Sequence, residues 1–148
     1  MFTVTFIDHW DNEIRSAVLG CAAALQGMVE VPEGNVSLKL VDDAQITALN
    51  KQYTGNAYAT DVLSFNYQED GETDGELGDI AISLETARRQ AIRLKAKLED
   101  EVALLATHGI LHVLGYDHGD EPGQKEMEQL QRRIVKQAGF KYRSFKWE

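Results

Sequence analysis

The chain has 148 residues, 43% of them apolar and 26% charged, with a formal net charge of −9, enough for one hydrophobic core and one domain over residues 1–148. Its longest apolar run is far too short to span a bilayer, and no basic segment followed by an apolar one opens it, so we expect a cytoplasmic protein with no membrane partner. The single Cys21 excludes an internal disulfide and a cysteine-based zinc site, which leaves histidines as the ligands for any transition metal.

Residues 2–7 alternate as a strand rich in β-formers. Asp11 or Asn12 then caps a helix to about Met28, with Ile14, Val18, Cys21 and Leu25 on one stripe. Pro32, Gly34 and Asn35 mark a turn. Val36, Leu38 and Leu40 alternate with Ser37 and Lys39 as a second strand, and Asp42 or Asp43 caps a short helix through about Tyr53. After a loop at Thr54-Gly55-Asn56, Asp61 to Tyr67 reads as a third strand. The acidic, Gly-rich segment from Gln68 to Gly75 reads as an exposed loop. Leu77, Ile80 and Ile82 suggest a fourth strand, antiparallel to the third. Ser83 caps a helix from Leu84 to about Lys97, and Glu99 and Asp100 open the next, where acidic residues suit the helix dipole. Pro122 starts a last helix that runs to about Gln137 and ends near Gly139, followed by an aromatic, basic tail from Phe140 to Glu148. The mixture implies an α+β fold, a small mixed β-sheet packed with helices.

One stretch concentrates the chemistry. His108-Gly109-Ile110-Leu111-His112-Val113-Leu114-Gly115-Tyr116-Asp117-His118 holds three of the four histidines. His108 and His112 are four apart, so on a helix they share a face one turn apart. Gly115 tolerates the positive φ that ends a helix, and the chain can then return His118 to the same ion. Three neutral imidazoles with a fourth position open to water is a catalytic zinc arrangement for one Zn²⁺ ion, although imidazoles also suit Ni²⁺, Cu²⁺ and Fe²⁺. The residues around them, Val102 to Ala106 and Ile110 to Leu114, leave almost no polar face, so this helix is expected to be the most buried. Gly109 in mid-helix costs roughly 1 kcal/mol against Ala. We expect it to make room for another backbone or for substrate beside the metal.

The spacing matches the extended zincin pattern His-Glu-x-x-His-x-x-Gly-x-x-His, but Gly109 stands where that pattern has its general base Glu. A zinc peptidase is therefore disfavoured, yet kept as an alternative. Net charge alone argues against nucleic acid. Basic residues are clustered, however, at Arg88, Arg89, Arg93, Lys95 and Lys97, and again from Arg132 to Lys146. Either cluster is a candidate to face the metal cleft.

Three separated matches resemble the bacterial YbeY family of endoribonucleases: His108 to His118, Thr60 to Phe65 (Thr-Asp-Val-Leu-Ser-Phe) and Leu77 to Ile80 (Leu-Gly-Asp-Ile). The resemblance implies a zincin-like α+β fold with zinc on His108, His112 and His118. It also implies cleavage of single-stranded RNA in 16S ribosomal RNA 3′-end maturation and ribosome quality control, with the ribosome or small-subunit factors as partners. Departures alter what the resemblance implies to be the RNA-facing loop. Thr54 stands where the family usually has Arg, Tyr58-Ala59 where it has Lys-Pro, and Asn66 where it has Pro, leaving Lys51 as the nearest basic residue. Asp61, Ser64, Asp79 and Asp117 are the polar residues inside the matched motifs. Each is a candidate for holding a histidine tautomer or positioning water, against ordinary roles as strand starts, edges or turn closures. A third reading is a non-catalytic ribosome-associated factor whose zinc is structural.

Overall fold

The computed structural model describes residues 1–67, 75–117 and 119–143. His118, the acidic segment from Gln68 to Asp74, expected as a loop, and the tail from Ser144 onward therefore lie outside the described residues. Chain order is β1 (Phe2–Ile7), α1 (Asn12–Gln26), β2 (Gly34–Val41), α2 (Asp43–Thr54), β3 (Val62–Asn66), β4 (Glu76–Ser83), α3 (Leu84–Leu94), α4 (Leu98–Val113) and α5 (Glu121–Gln137). Helix starts follow local capping chemistry. The Asp11 carboxylate accepts from the N–H groups of Glu13 and Ile14, Asp42 and Gln45 form a reciprocal capping box, and Ser83 accepts from the Thr86 N–H. Two helices stop earlier than the sequence suggests. α1 ends at Gln26, where Met28 and Val29 both bond back to the Leu25 carbonyl. α3 ends at Leu94 because Lys95 adopts a left-handed φ of 54° and the chain must reverse before α4.

The sheet order is β1-β2-β4-β3. β1, β2 and β4 are parallel and β3 runs antiparallel at the edge, as the hairpin expectation requires. One face buries Val36, Leu38, Ile80 and Ile82 in a single core with Val18 and Leu25 of α1 and Leu105 and Leu111 of α4. Each such side chain contributes about 1.5–3 kcal/mol by leaving water. The other face carries a small cluster of Val41, Ile46 and Ala81 under α2. α4 is the central helix: every residue from Glu101 to Leu111 is buried, so its histidines sit on a scaffold packed from all sides.

Asp43 ties three elements together. Its Oδ1 accepts from the Ser83 and Thr86 hydroxyls, both at 2.6 Å, and its Oδ2 pairs with Arg89 at 2.8 Å. The Arg89 guanidinium, then the two hydroxyls, hold its carboxyl down to about 2. Because the folded value lies below the unfolded value of about 3.9, this stability is present above about pH 4 and is lost as pH falls through 2. Asp43→Asn should thus lower the unfolding free energy at pH 7, and its deficit against wild type should shrink steadily between pH 4 and pH 2 in urea titrations.

Candidate active site

Three pieces of chain build the site. α4 supplies His108 and His112, whose ring centroids lie 4.6 Å apart at an interplanar angle of 76°. Its C-terminus closes in a Schellman turn: the Tyr116 N–H bonds the Leu111 carbonyl at 3.0 Å, the Gly115 N–H bonds the His112 carbonyl at 3.0 Å, and Gly115 has φ 103°. β3 forms the facing wall. Together they line a cleft of about 490 Å³ with Val62, Ser64, Asn66, His108, His112, Tyr116 and Asp117 on its surface.

Gly109 does not serve substrate or another backbone as expected. A Cβ there would lie 2.9 Å from Ile80 Cγ2 and 3.2 Å from Ser64 Oγ, so the missing side chain lets α4 settle onto the sheet. The same contact explains why position 109 cannot carry the zincin Glu in this chain, since a longer side chain would be driven into β4.

His108 is 5% exposed, and its Nδ1 lies 2.7 Å from the Gln131 Oε1 of α5. A carbonyl oxygen only accepts, so Nδ1 donates, and in the neutral ring the lone pair then sits on Nε2, the tautomer a metal takes. Gln131 is fully buried, and its amide nitrogen donates to the Tyr142 hydroxyl at 3.5 Å. Sequence reasoning sought this partner among the motif aspartates and missed it. A signal was there: Gln131 is the one polar residue on the buried stripe of Met127, Ile134 and Val135.

The four polar candidates separate. Ser64 and Asp117 line the cleft. The Asp117 Oδ1 accepts from the Gly119 N–H at 3.1 Å. Asp79 sits on the opposite face of the sheet, where its Oδ2 accepts from the Tyr67 hydroxyl at 2.5 Å. The reading of Asp79 as a histidine partner is therefore corrected: β4 alternates, and its even-numbered residues Gly78, Ile80 and Ile82 are the ones turned to α4. Asp61 lies at the start of β3, outside the cleft, where Gln90 Nε2 donates to it at 3.2 Å. Burial pushes its carboxyl above the ordinary value, and the Gln90 bond only partly offsets this. The described residues of the basic clusters are also elsewhere. No residue of α3 or of the tail through Arg143 lines the cleft; Arg89 is paired with Asp43, and Arg143 with Glu101. Thr54, in place of the family's Arg, donates to the Asn50 carbonyl at 2.8 Å and to its side-chain oxygen at 2.7 Å, closing the end of α2.

The donor set suits zinc: two imidazoles one turn apart, one with its Nδ1–H oriented by a buried amide. Among the described residues, no group of three or more His, Cys, Asp or Glu forms a metal cage, and the expected third ligand, His118, is outside them.

A mixed sheet with a buried histidine helix and a cleft along its antiparallel edge strand defines a zincin-like α+β fold. The family model described as Endoribonuclease YbeY matches residues 5–139. Curated relatives named Endoribonuclease YbeY include proteins of Desulfitobacterium hafniense, 43% identical over 82% of each chain, and Moorella thermoacetica, 45% identical over 84% of each. That of Thermus thermophilus is 44% identical over 76% of this chain and 83% of its own. The solution structure of TM1509 from Thermotoga maritima superposes with a TM-score of 0.63 at 24% identity, covering 93% of this chain and 89% of that one, and so shares the fold. The chain belongs to the YbeY family of endoribonucleases. Among the described residues, no helix is long and apolar enough to cross a membrane.

Proposed function

We propose that this chain is a zinc-dependent, single-strand-specific endoribonuclease of the cytoplasm. It acts in 16S ribosomal RNA 3′-end maturation and ribosome quality control, with the ribosome or small-subunit factors as partners. Family membership supports the reaction class. The observation that carries the assignment of the site is the His108–His112 pair, 4.6 Å between ring centroids, set in a cleft with His108 locked in the metal-binding tautomer by Gln131.

His108, His112 and His118 would hold the ion. When bound, zinc supplies Lewis acidity toward a phosphoryl oxygen and an acidified water. The protein supplies the rest. Gln131 keeps the His108 ring oriented, so little reorganisation is needed on metal entry. Ser64 and Asn66 of β3 face the histidines across the cleft and offer a hydroxyl and an amide to hold the phosphate and sugar of a bound strand. Asp117 is the one carboxylate among the described lining residues, which makes it the candidate proton acceptor of the four. The peptidase alternative loses support because position 109 is packed against Ile80 and has no room for a general base.

Asp117→Asn tests the assignment of the base. It should lower the cleavage rate of a single-stranded RNA by 10²–10⁴-fold, the usual weight of general acid–base catalysis, with zinc content unchanged by atomic absorption. A rate within twofold of wild type would remove Asp117 from the mechanism.

A further inference from the structure

We infer that the groove on the far side of β3 is a stacking site for an unpaired nucleobase of the same RNA strand that enters the histidine cleft. This rests on the endoribonuclease reading and specifies how its substrate is held.

The described cleft is short of positive charge. The chain carries a net charge of −9, and no Lys or Arg stands among the described residues that line the cleft. Attraction to phosphates therefore supplies little of the affinity there. Contacts that need no charge must supply it, and stacking of bases on aromatic rings is the sequence-tolerant one.

β3 provides for this by its alternation. Ser64 and Asn66 face the cleft, while Phe65 faces the groove opposite, and Tyr67 follows it at the next odd position. The groove measures about 650 Å³. Tyr53 of α2 leans on Phe65, their ring centroids 4.6 Å apart and their planes at 56°. Tyr53 is still 60% exposed, a large ring held at the groove surface rather than in the core. The Tyr67 hydroxyl is pinned by the Asp79 carboxylate at 2.5 Å, so its ring too is fixed in place. Gln45 and Gln52 bring side-chain amides to the same groove, each able to donate to and accept from a base edge. Lys39 lines it as well, its ammonium 3.6 Å from the Asp8 carboxylate.

β3 is an edge strand of the sheet, so the route between the cleft and the groove runs over that edge and not through the sheet. Bases in a duplex are already stacked and paired and have nothing to gain from the rings. The groove thus accounts for selectivity toward unpaired RNA as well as for affinity.

The test is fluorescence anisotropy of a short, unstructured, labelled RNA across a salt series, with EDTA present to prevent cleavage. It compares wild type, Tyr53→Ala and Tyr53→Trp. Tyr53→Ala should raise Kd about tenfold, within the range of one lost base–ring stack, and leave the slope of log K against log salt unchanged. Tyr53→Trp should restore the affinity, and RNA should quench its indole fluorescence. An unchanged Kd for Tyr53→Ala, or a loss of affinity accompanied by a shallower salt slope, would overturn the inference. Cleavage of the same RNA by the zinc-loaded wild type separates the two claims. Cleavage with a Tyr53-independent Kd overturns the groove and leaves the cleft reading standing. Tyr53-dependent binding without cleavage overturns the hydrolytic reading and keeps the groove. Failure of the wild type to bind overturns both.

Discussion

Gln131→Leu should weaken zinc binding about 10- to 100-fold, the usual cost of losing a hydrogen-bond partner behind a ligating histidine. The side chain is fully buried and accepts the His108 Nδ1 proton at 2.7 Å. Leu fills similar space but cannot accept. The ring would lose its preference for the tautomer that presents Nε2, and a buried N–H would be left without its acceptor at a stability cost of about 1–3 kcal/mol. Gln131→Glu separates these effects, because a carboxylate oxygen accepts the same bond. It should restore zinc affinity to wild type or better, since it raises the basicity of the imidazole. Competition with a chromophoric chelator reads the affinity, and thermal unfolding of the metal-free variants reads the stability. Equal zinc affinity in wild type and Gln131→Leu would show that His108 is positioned by other means.

Arg143→Met should destabilise the fold by about 3–5 kcal/mol, which is the cost of breaking a buried ion pair from one side. Glu101 is 1% exposed, on the first turns of α4, and Arg143 grips it with two nitrogens at 2.8 and 2.5 Å. The pair clamps the C-terminal segment over the start of the histidine helix. Without Arg143 the carboxylate is left buried and uncompensated. The double variant Glu101→Leu/Arg143→Met should recover most of the loss, because an apolar pair of similar volume no longer carries the desolvation penalty. Urea midpoints of the three variants decide this. A loss below about 1 kcal/mol for Arg143→Met would mean that the pair behaves as a surface pair does.

Much of the fold was legible wherever one signal was strong. Strand alternation at Phe2–Ile7 and Val62–Asn66 and capping residues at Asp11, Asp42 and Ser83 placed the elements within a few residues. The β3–β4 hairpin followed from their proximity in sequence. The parallel pairing of β1, β2 and β4 was not legible, because it depends on how α1 and the α2–β3 connection cross the sheet rather than on any local pattern. Which way Asp79 faces was hidden for a related reason. β4 is buried on both faces, with Leu77, Ile80, Ala81 and Ile82 all in the core, so its sequence does not announce an inside and an outside.

The histidine pair was legible because its spacing equals a helical turn. Its support was not, since Gln131 lies 23 positions away in another helix and meets His108 only through the packing of α5 on α4. The expectation that a basic surface would face the metal fails for the described basic residues, Lys146 lying outside them, because charge clusters report composition, not direction. Arg89 and Arg143 are consumed by Asp43 and Glu101, and both pairs hold elements together rather than awaiting a substrate.

We propose that the α4 histidines make a hydrolytic zinc site. The most direct test is cleavage of a labelled single-stranded RNA by zinc-loaded wild type beside His112→Ala purified identically, with circular dichroism on both. A hydrolytic zinc site gives zinc-dependent cleavage by the wild type, loss of at least a thousandfold in the variant, and an unchanged spectrum, since His112 is a half-buried group at the cleft wall and not part of the core. Equal cleavage by both proteins, or a variant that fails to fold, would contradict it.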